Sequence, residues 1–517
     1  MALTQQGRSI RDSDDFPAWQ LFVLAIVRLA EPIAITSILP YAWKLVLHYD
    51  AGTHDDAAFW TGILIAAFSL AEALTGFFWG SLSDRIGRRK VLISGCIGTC
   101  ISLFVVGFAQ NFWMALAGRI LGGLLNGNVG VIQTCVGELI TNPKHEPKAY
   151  AVLPFVWSIG TILGPMIGGI LSEPALHYPD VFSPQGVFAR YPFLLPNLVC
   201  AGFLAFSVAF AFFFLVETHP SLQPCEKQSE SYPSSAARPL IPASGAVNNP
   251  AADLSAESYG TFDSVTITQS QQQKSATAHT SNSTSSTPDE QTVFTRNVVM
   301  LTVALAIFTY HSMTFDTLMP IFFQDERQEP ASRLSGGLGL STQDVGVIMS
   351  VNGIIALFIQ GVVFPYLATW IGIWPLTVLV TVAHPLAYVV MPFLILVPKR
   401  WIHLWIYGAL SLRNFFAILV YPLLLILIKQ AAPTAHLGKI NGLAASAGGV
   451  ARMLASPISG FFYGVGSRVH FAGVSWWTSA LVALVGSVQI FFVGRRRNDA
   501  AHVRTVVAWS ENHGQAD

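Results

Sequence analysis

Apolar segments of about 20 residues recur along the chain, and each is long enough to cross a ~30 Å hydrocarbon core as an α-helix. The first set lies near residues 19–40, 59–80, 91–109, 112–137, 149–171 and 192–216. The second set lies near residues 297–322, 344–366, 373–396, 402–428, 439–464 and 474–493. This pattern predicts an all-α, polytopic membrane protein with about twelve transmembrane helices.

The sequence between the two sets has a different composition. It is rich in Ser, Thr, Gln, Ala and Pro, and its apolar side chains are too few to offset the entropy lost on ordering. The predicted organisation is an N-terminal segment, a six-helix bundle, a disordered linker, a second six-helix bundle and a tail, at residues 1–16, 17–217, 218–293, 294–494 and 495–517. The polar start has no apolar core or cleavage site of a removable signal peptide.

Basic residues in the short connections predict the orientation of the chain. Arg85, Arg88 and Lys90 follow the second span, and three arginines at 495–497 follow the last. Because Lys and Arg are enriched in cytoplasmic loops, both termini and the linker are expected in the cytoplasm. The membrane itself, plasma or vacuolar, is left open by the sequence.

Composition supports a membrane protein and argues against other classes. Hydrophobic residues make up 52% of the chain and charged residues 11%, against about 25% charged residues in soluble domains. A formal net charge of +0 argues against a nucleic-acid-binding face. The sequence has no GxxxxGK[ST] loop, no HExxH and no paired CxxC, so we predict no cofactor, no bound metal, no catalytic residue and no enzymatic activity.

Short matches between the two sets of spans indicate an internal repeat. The matched positions include Pro40 and Pro320, Gly87 and Gly372, Pro165 and Pro457, and Arg119 and Arg413. They occur in one order and at a nearly constant offset. They therefore predict two pseudo-symmetric bundles with a substrate path between them, near the middle of the membrane.

The loop after the second span contains GSLSDRIGRRK, residues 80–90. It resembles the signature G-x-L-x-D-R-x-G-R-[RK]-[RK] of the major facilitator superfamily through Gly80, Asp84, Arg85, Gly87 and Arg88. The resemblance implies a cytoplasmic latch that breaks and reforms between the two halves during alternating access. The alternative is that the arginines only fix the topology.

The fifth span contains Gly160, Gly164, Pro165, Gly168 and Gly169. Small residues at this spacing allow two helices to approach closely, and a proline within a span permits a bend. The pattern also resembles the antiporter signature of exporters in the same superfamily. The resemblance implies export, whereas the simpler interpretation is tight helix packing.

Ionisable residues inside the spans are the candidate functional groups, because each costs on the order of 2.5–3.5 kcal/mol to insert. Arg28 and Glu31 lie three residues apart on one helical face, where they can form an ion pair. We predict Glu31 and Glu72 as proton carriers and Arg119, whose surroundings resemble the fourth-span motif of the superfamily, as the charge that tunes them. The candidates in the second half are His311, Asp316, Arg413 and Arg452, the last as a gate or as a contact for an anionic group.

These features together predict a secondary active transporter of the major facilitator fold, similar to drug:proton antiporters with twelve spans. The segment RLAEPIAITSILPYAW, residues 28–43, further resembles zinc-induced facilitator-like carriers and uncharacterised fungal carriers. The expected activity is proton-coupled export of a small molecule by a monomer in the lipid bilayer. The alternatives are a facilitator or importer of a nutrient or ion, and a receptor or scaffold that transports nothing.

Overall fold

The computed structural model describes residues 16–140, 152–219, 295–328, 334–431 and 437–494. The predicted N-terminal segment, linker and C-terminal tail lie outside the described residues, apart from Phe16, Thr218 and His219.

The first half of the chain is built from helices joined by short connections. The long helices are α1 (Ala18–Thr36), α3 (Ala57–Ile86), α4 (Arg88–Gly107), α5 (Phe112–Leu125), α6 (Asn128–Leu139), α7 (Val152–Leu171) and α10 (Leu194–Phe214). Between them lie the short helices α2 (Ala42–His48), α8 (Pro174–His177) and α9 (Val187–Arg190). Helices α5 and α6 follow one another through a break and together fill the predicted fourth span.

The second half repeats this construction. Its helices are α11 (Arg296–Gln324), α12 (Thr342–Phe358), α13 (Phe364–Ile371), α14 (Ile373–Val390), α15 (Ile402–Ala431), α16 (Leu437–Arg468) and α17 (Gly473–Gln489). A π-helical turn, Ile359–Val363, joins α12 to α13. The 3-10 segments are Met391–Leu396, Lys399–Trp401 and Ile490–Phe492.

The described helices occupy the predicted spans. Ten helical segments are long and apolar enough to cross a membrane. The two other predicted positions hold α7, whose apolar stretch Phe155–Leu171 is shorter, and α16, a helix of 32 residues. Apart from one isolated bridge between Arg327 and Gly336, the described residues form no β-structure. The prediction of an all-α membrane protein with about twelve spans is confirmed.

The turn after the second span has the same geometry in both halves. Gly87 links α3 to α4 with a φ of 100°, and Gly372 links α13 to α14 with a φ of 88°. Glycine adopts these positive values without the steric cost that a Cβ atom would add. The shared turn is therefore a structural counterpart of the internal repeat in the sequence.

The two halves touch at one end of the molecule, which we call the closed end. There α3 packs on α16 and α7 packs on α12. A Cβ atom at Gly62 would lie 2.2 Å from the carbonyl oxygen of Ser456, and one at Gly169 would lie 2.6 Å from the Cα atom of Gly346. Only glycine permits such close approach of two backbones.

The apolar core is divided in the same way. One cluster of buried side chains, which includes Tyr41 and Phe322, spans both halves at the closed end. Two further clusters are confined to one half each. We call the opposite end, where Gly87, Leu215 and Thr295 lie, the open end. Each half thus has a core of its own, and the halves are joined at the closed end.

Candidate functional site

A cavity of ≈ 560 Å³ lies between the two halves. Helices α1, α3, α5, α6 and α7 line it from the first half, and α11, α12, α15 and α16 line it from the second. It reaches Gly80, near the end of α3, so it extends towards the open end. This volume is typical of a site for a drug-sized molecule. Its charged lining residues are Glu72, Arg119, Asp316, Arg413 and Arg452.

The first wall of the cavity contains a chain of polar contacts around two carboxylates. Arg28 donates to Glu31 at 2.8 Å, as the three-residue spacing predicts, and its guanidinium lies 4.9 Å from the ring centre of Trp157. The side-chain nitrogen of Asn126 donates to Glu31 at 2.5 Å and to Glu72 at 2.8 Å. The two predicted proton carriers therefore share one amide group.

Asn126 owes its position to the break in the fourth span. Helix α5 ends at Leu125, and Asn126 has an extended backbone before α6 begins at Asn128. This residue was not identified from the sequence. The available signal was Asn126-Gly127-Asn128, a polar interruption within an apolar span. Residues of this type end a helix readily because their side chains compete for backbone hydrogen bonds.

Arg119 is buried beside the same wall. Its Nε donates to the carbonyl oxygen of Leu64 at 3.5 Å, and its guanidinium lies 4.7 Å from the ring centre of Phe68. Phe68 and Glu72 are one helical turn apart on α3. Arg119 interacts with Glu72 electrostatically, and Glu31 has its ion pair with Arg28 instead.

The second wall is organised around one arginine. Arg413 donates to Asp316 at 2.8 Å and to the hydroxyl and carbonyl oxygens of Ser312 at 2.9 and 3.2 Å. Its guanidinium lies 4.5 Å from the ring centre of Phe315. The two arginines that the repeat aligns, Arg119 and Arg413, thus both lie over a phenylalanine ring.

The remaining candidates in the second half have different surroundings. His311 lies in the core of that half, where its Nδ1 donates to the hydroxyl oxygen of Tyr388 at 2.7 Å and Tyr388 donates to the carbonyl oxygen of His311 at 2.9 Å. It lines a small separate void with His384 and does not line the central cavity. Arg452 does line the central cavity, from α16.

The latch motif forms contacts within the first half. Arg88 pairs with Asp84 at 2.6 Å and with Glu138 of α6 at 3.0 Å. Glu217, after α10, accepts from the backbone nitrogen of Arg88 at 2.8 Å. Asp84 is 46% exposed and Arg85 is exposed. A Cβ atom at Gly80 would meet no other helix of the described residues within 4 Å. The partners Glu138 and Glu217 were not identified in the sequence.

The glycines of the fifth span hold α7 against two other helices. Cβ atoms at Gly160, Gly164 and Gly168 would lie within 2.4 Å of atoms of α1 or of the residue after it. Gly169 faces α12 of the second half instead. Pro165 lies in the cavity wall. The motif therefore sets both the packing inside the first half and one contact between the halves.

Polar groups seal the closed end. Asp325, just after α11, accepts from the hydroxyl of Tyr463 at 2.7 Å and lies 3.7 Å from His54 of the first half. Arg468 pairs with Asp56 across the two halves. Burial raises the pKa of Asp325, while the hydrogen bond from Tyr463 and the nearby His54 act in the opposite direction.

Two matching helical bundles around one crevice, with an apolar outer surface, have the architecture of a membrane transporter. The family model of the Major Facilitator Superfamily matches residues 21–456. The chain belongs to this superfamily. Its members are transporters of small molecules and not enzymes, which confirms the predicted class.

Comparison with individual proteins agrees with this assignment. The chain is 35% identical over 508 residues to the Major facilitator superfamily multidrug transporter mfsB of Aspergillus fumigatus, covering 93% of this chain and 84% of the relative. It is 25% identical over 489 residues to the Protein ZINC INDUCED FACILITATOR 1 of Arabidopsis thaliana, covering 92% and 89%. A solved bacterial homologue of the human lysosomal transporter Spinster, inward-facing and occupied, has a TM-score of 0.62 at 13% identity, covering 93% and 97%.

Proposed function

We propose that the chain exports a small molecule in exchange for protons, by alternating access between the bundles 17–217 and 294–494. The observation that carries this proposal is the amide of Asn126, which links Glu31 and Glu72 beside the cavity. A carboxylate that lines the cavity and is held by a neutral amide, as Glu72 is, can exchange its proton with whatever occupies the cavity. The similarity to a relative named as a multidrug transporter supports the substrate class.

The orientation follows from the basic latch motif. Arg85, Arg88 and Lys90 lie at the open end, and such residues are retained on the cytoplasmic side. The open end then faces the cytoplasm, the closed end faces the outside or the vacuolar lumen, and the conformation is inward-facing. The pairing of Asp84 with Arg88 inside the first half is what a disengaged latch between the halves requires.

We assign the coupling proton to Glu72. Glu31 is 1% exposed and paired with Arg28, so we assign it the role of a fixed charge. Glu72, in contrast, lines the cavity, and its carboxylate accepts a hydrogen bond from the side-chain amide of Asn126. In the outward-facing state, a proton from the acidic side binds Glu72. In the inward-facing state, that proton leaves to the cytoplasm and the substrate takes its place. Arg119 is a nearby positive charge that interacts with Glu72.

The fifth-span glycines contribute to the alternation of states. Gly169 packs against Gly346 at the closed end, and this contact has to separate when the cavity opens outward. Both walls of the cavity come from one chain, so a monomer is a complete carrier. A scaffold would have no need for the buried charges of these walls, because each costs energy to insert.

The test uses proteoliposomes and a compound identified by a toxicity screen of knockout and overexpressing cells. With an acidic lumen, an antiporter accumulates the compound, and a protonophore abolishes the accumulation. A symporter or importer accumulates it only with an acidic exterior, and a scaffold shows neither uptake nor counterflow. Glu72→Gln is expected to lower accumulation at least about tenfold while counterflow persists. The control is Asp180→Asn, an exposed acid at the closed end.

A further inference from the structure

Arg452 differs from the other arginines of the cavity. Arg413 has an acid, a hydroxyl and a carbonyl oxygen as partners, and Arg119 donates to the carbonyl oxygen of Leu64 and lies over the ring of Phe68. Among the residues that the structure describes, none forms a hydrogen bond or ion pair with Arg452. Its guanidinium is therefore a positive charge with unused donors, on the surface of the substrate cavity.

The position of Arg452 rules out a simple role at the membrane surface. It lies near the middle of α16, which spans 32 residues, so about 24 Å of helix lies on either side of it. An arginine side chain is too short to reach an interface over that distance. A charge held at mid-membrane is costly unless the cavity or its ligand solvates it.

Arg452 also marks the deep end of the cavity. It is one helical turn from Ser456, whose carbonyl oxygen meets Gly62 of α3 where the two halves touch. Glu72 lies on the same α3, about 15 Å from Gly62 towards the open end. Because α3 and α16 run antiparallel past this contact, the Cα atoms of Glu72 and Arg452 lie at different depths, separated along the cavity by about 9 Å.

We propose that the cavity binds a zwitterion, with the anionic group of the substrate on the guanidinium of Arg452 and its cationic group facing Glu72. This inference rests on the proposed function, and it names the substrate class. The cationic group competes with the proton for Glu72, and this competition couples substrate binding to proton release. The anionic group supplies affinity in a site where charge-assisted hydrogen bonds are strong. The separation of the charges favours a frame longer than an α-amino acid, placed against apolar residues such as Phe68.

Three xanthene dyes of nearly equal shape test this proposal. Rhodamine 110 carries a cationic ring system and a carboxylate, rhodamine 123 is its methyl ester and carries only the cation, and fluorescein carries only negative charge. Equilibrium binding to the full chain in lipid nanodiscs is measured by fluorescence anisotropy. The wild-type protein is expected to bind rhodamine 110 at least about tenfold more tightly than either of the other dyes.

Variants assign the effect to the arginine. Arg452→Gln is expected to weaken rhodamine 110 binding about tenfold and to leave rhodamine 123 binding unchanged, so the preference disappears. Arg452→Lys should retain part of the preference, because the charge is kept. Arg400→Gln removes an exposed arginine that lies outside the cavity, so it is the matched control and should bind all three dyes as the wild type does. Size-exclusion profiles report folding of each variant.

Three results would overturn the proposal: equal affinity for the acid and its ester, an unchanged preference in Arg452→Gln, or no binding of rhodamine 110. The assay contains no proton gradient, so it is independent of coupling. Binding that follows the proposal together with gradient-independent transport would reject the antiport mechanism alone. Gradient-dependent transport together with dye binding that does not follow the proposal would reject the zwitterion site alone.

Discussion

The two walls of the cavity hold their charges in different ways. On the first wall, Asn126 connects Glu31 and Glu72, so a neutral amide lies between two acids. On the second wall, Arg413 is surrounded by acceptors that include Asp316 and two oxygens of Ser312. The first arrangement keeps its Arg28–Glu31 ion pair when Glu72 gains a proton, whereas the second loses its ion pair if Asp316 is neutralised.

The two halves of a pseudo-symmetric fold thus differ in the partners of their buried charges. The aligned arginines Arg119 and Arg413 both lie over phenylalanine rings, so the backbone frame is common to the two halves. Of the two, only Arg413 has an acid in direct contact among the described residues. The repeat therefore supplies equivalent positions, and the local partners decide what contacts each arginine makes.

The largest effect expected from this comparison is on stability. Asp316→Asn removes the acid from Arg413, which is 2% exposed, and leaves the buried cation without its paired carboxylate. We expect the free energy of unfolding to fall by about 3 kcal/mol. Glu72→Gln leaves the Arg28–Glu31 pair in place and should cost less than about 1 kcal/mol. Unfolding of the purified variants in detergent, followed by tryptophan fluorescence, measures both values.

The control for this prediction is Asp180→Asn, an exposed acid at the closed end, which should change stability by no more than about 0.5 kcal/mol. A double variant with Asp316→Leu and Arg413→Met should recover most of the loss, because it removes the whole pair. Equal losses in Asp316→Asn and Glu72→Gln would contradict the division between the walls.

A smaller effect is expected when the amide of the first wall is removed. Asn126→Leu keeps a similar side-chain volume but deletes the donor shared by Glu31 and Glu72. Hydrogen bonds to charged groups contribute about 1.5–3 kcal/mol, so we expect proton-driven accumulation in proteoliposomes to fall about tenfold. Counterflow without a gradient should change by no more than about twofold, because the pathway stays intact.

The second wall supplies the matched variant for that experiment. Asn414 donates to the side-chain and backbone oxygens of Asn352 and to no acid among the described residues. Asn414→Leu should therefore reduce accumulation and counterflow by the same factor, if it changes either. A selective loss of proton-driven accumulation in Asn414→Leu would place proton coupling on the second wall and contradict the assignment to Glu72.

Local features of this structure were predictable from the sequence. The spans follow from apolar length, the Arg28–Glu31 pair from a spacing of three residues, and the tight turn at Gly87 from its place between two spans. Each depends on residues that are close along the chain. The close approach of Gly169 to Gly346 is partly of this kind, because small residues indicate helix contact without naming the partner.

The partners of the site were not predictable, because they come from distant parts of the chain. Asn126 is 95 residues from Glu31, and Glu217 is 129 residues from Arg88. The sequence also does not show which face of a helix lines the cavity. Met313 and Asp316 line the cavity from α11, and His311, two residues from Met313, is rotated by about 200° to the core. An apolar span does not show which of its faces meets the cavity.

The closed end provides the smallest predicted effect. Asp325 lies against Tyr463, Glu326 and His54, and burial raises its pKa in this conformation. Opening the closed end would expose it to water and return the pKa towards its ordinary value of about 3.9. The closed conformation therefore binds the proton more tightly, so acid favours closure. The free-energy preference for the closed conformation is lost as the pH rises from the pKa of Asp325 in the open conformation through its raised pKa in the closed one. The loss is at most about 1.4 kcal/mol per pH unit.

Distances between the two halves at the closed end measure this effect. They also test whether the charges at the closed end control opening independently of the charges in the cavity walls. Spin labels at Gln185 and Val469, exposed residues of opposite halves, should show a larger fraction of long distances at pH 7 than at pH 4. Asp325→Asn should remove this dependence, while Glu72→Gln should leave it unchanged, because Glu72 belongs to the first wall and not to the closed end. A pH response that disappears in Glu72→Gln and persists in Asp325→Asn would assign the conformational change to the wall instead.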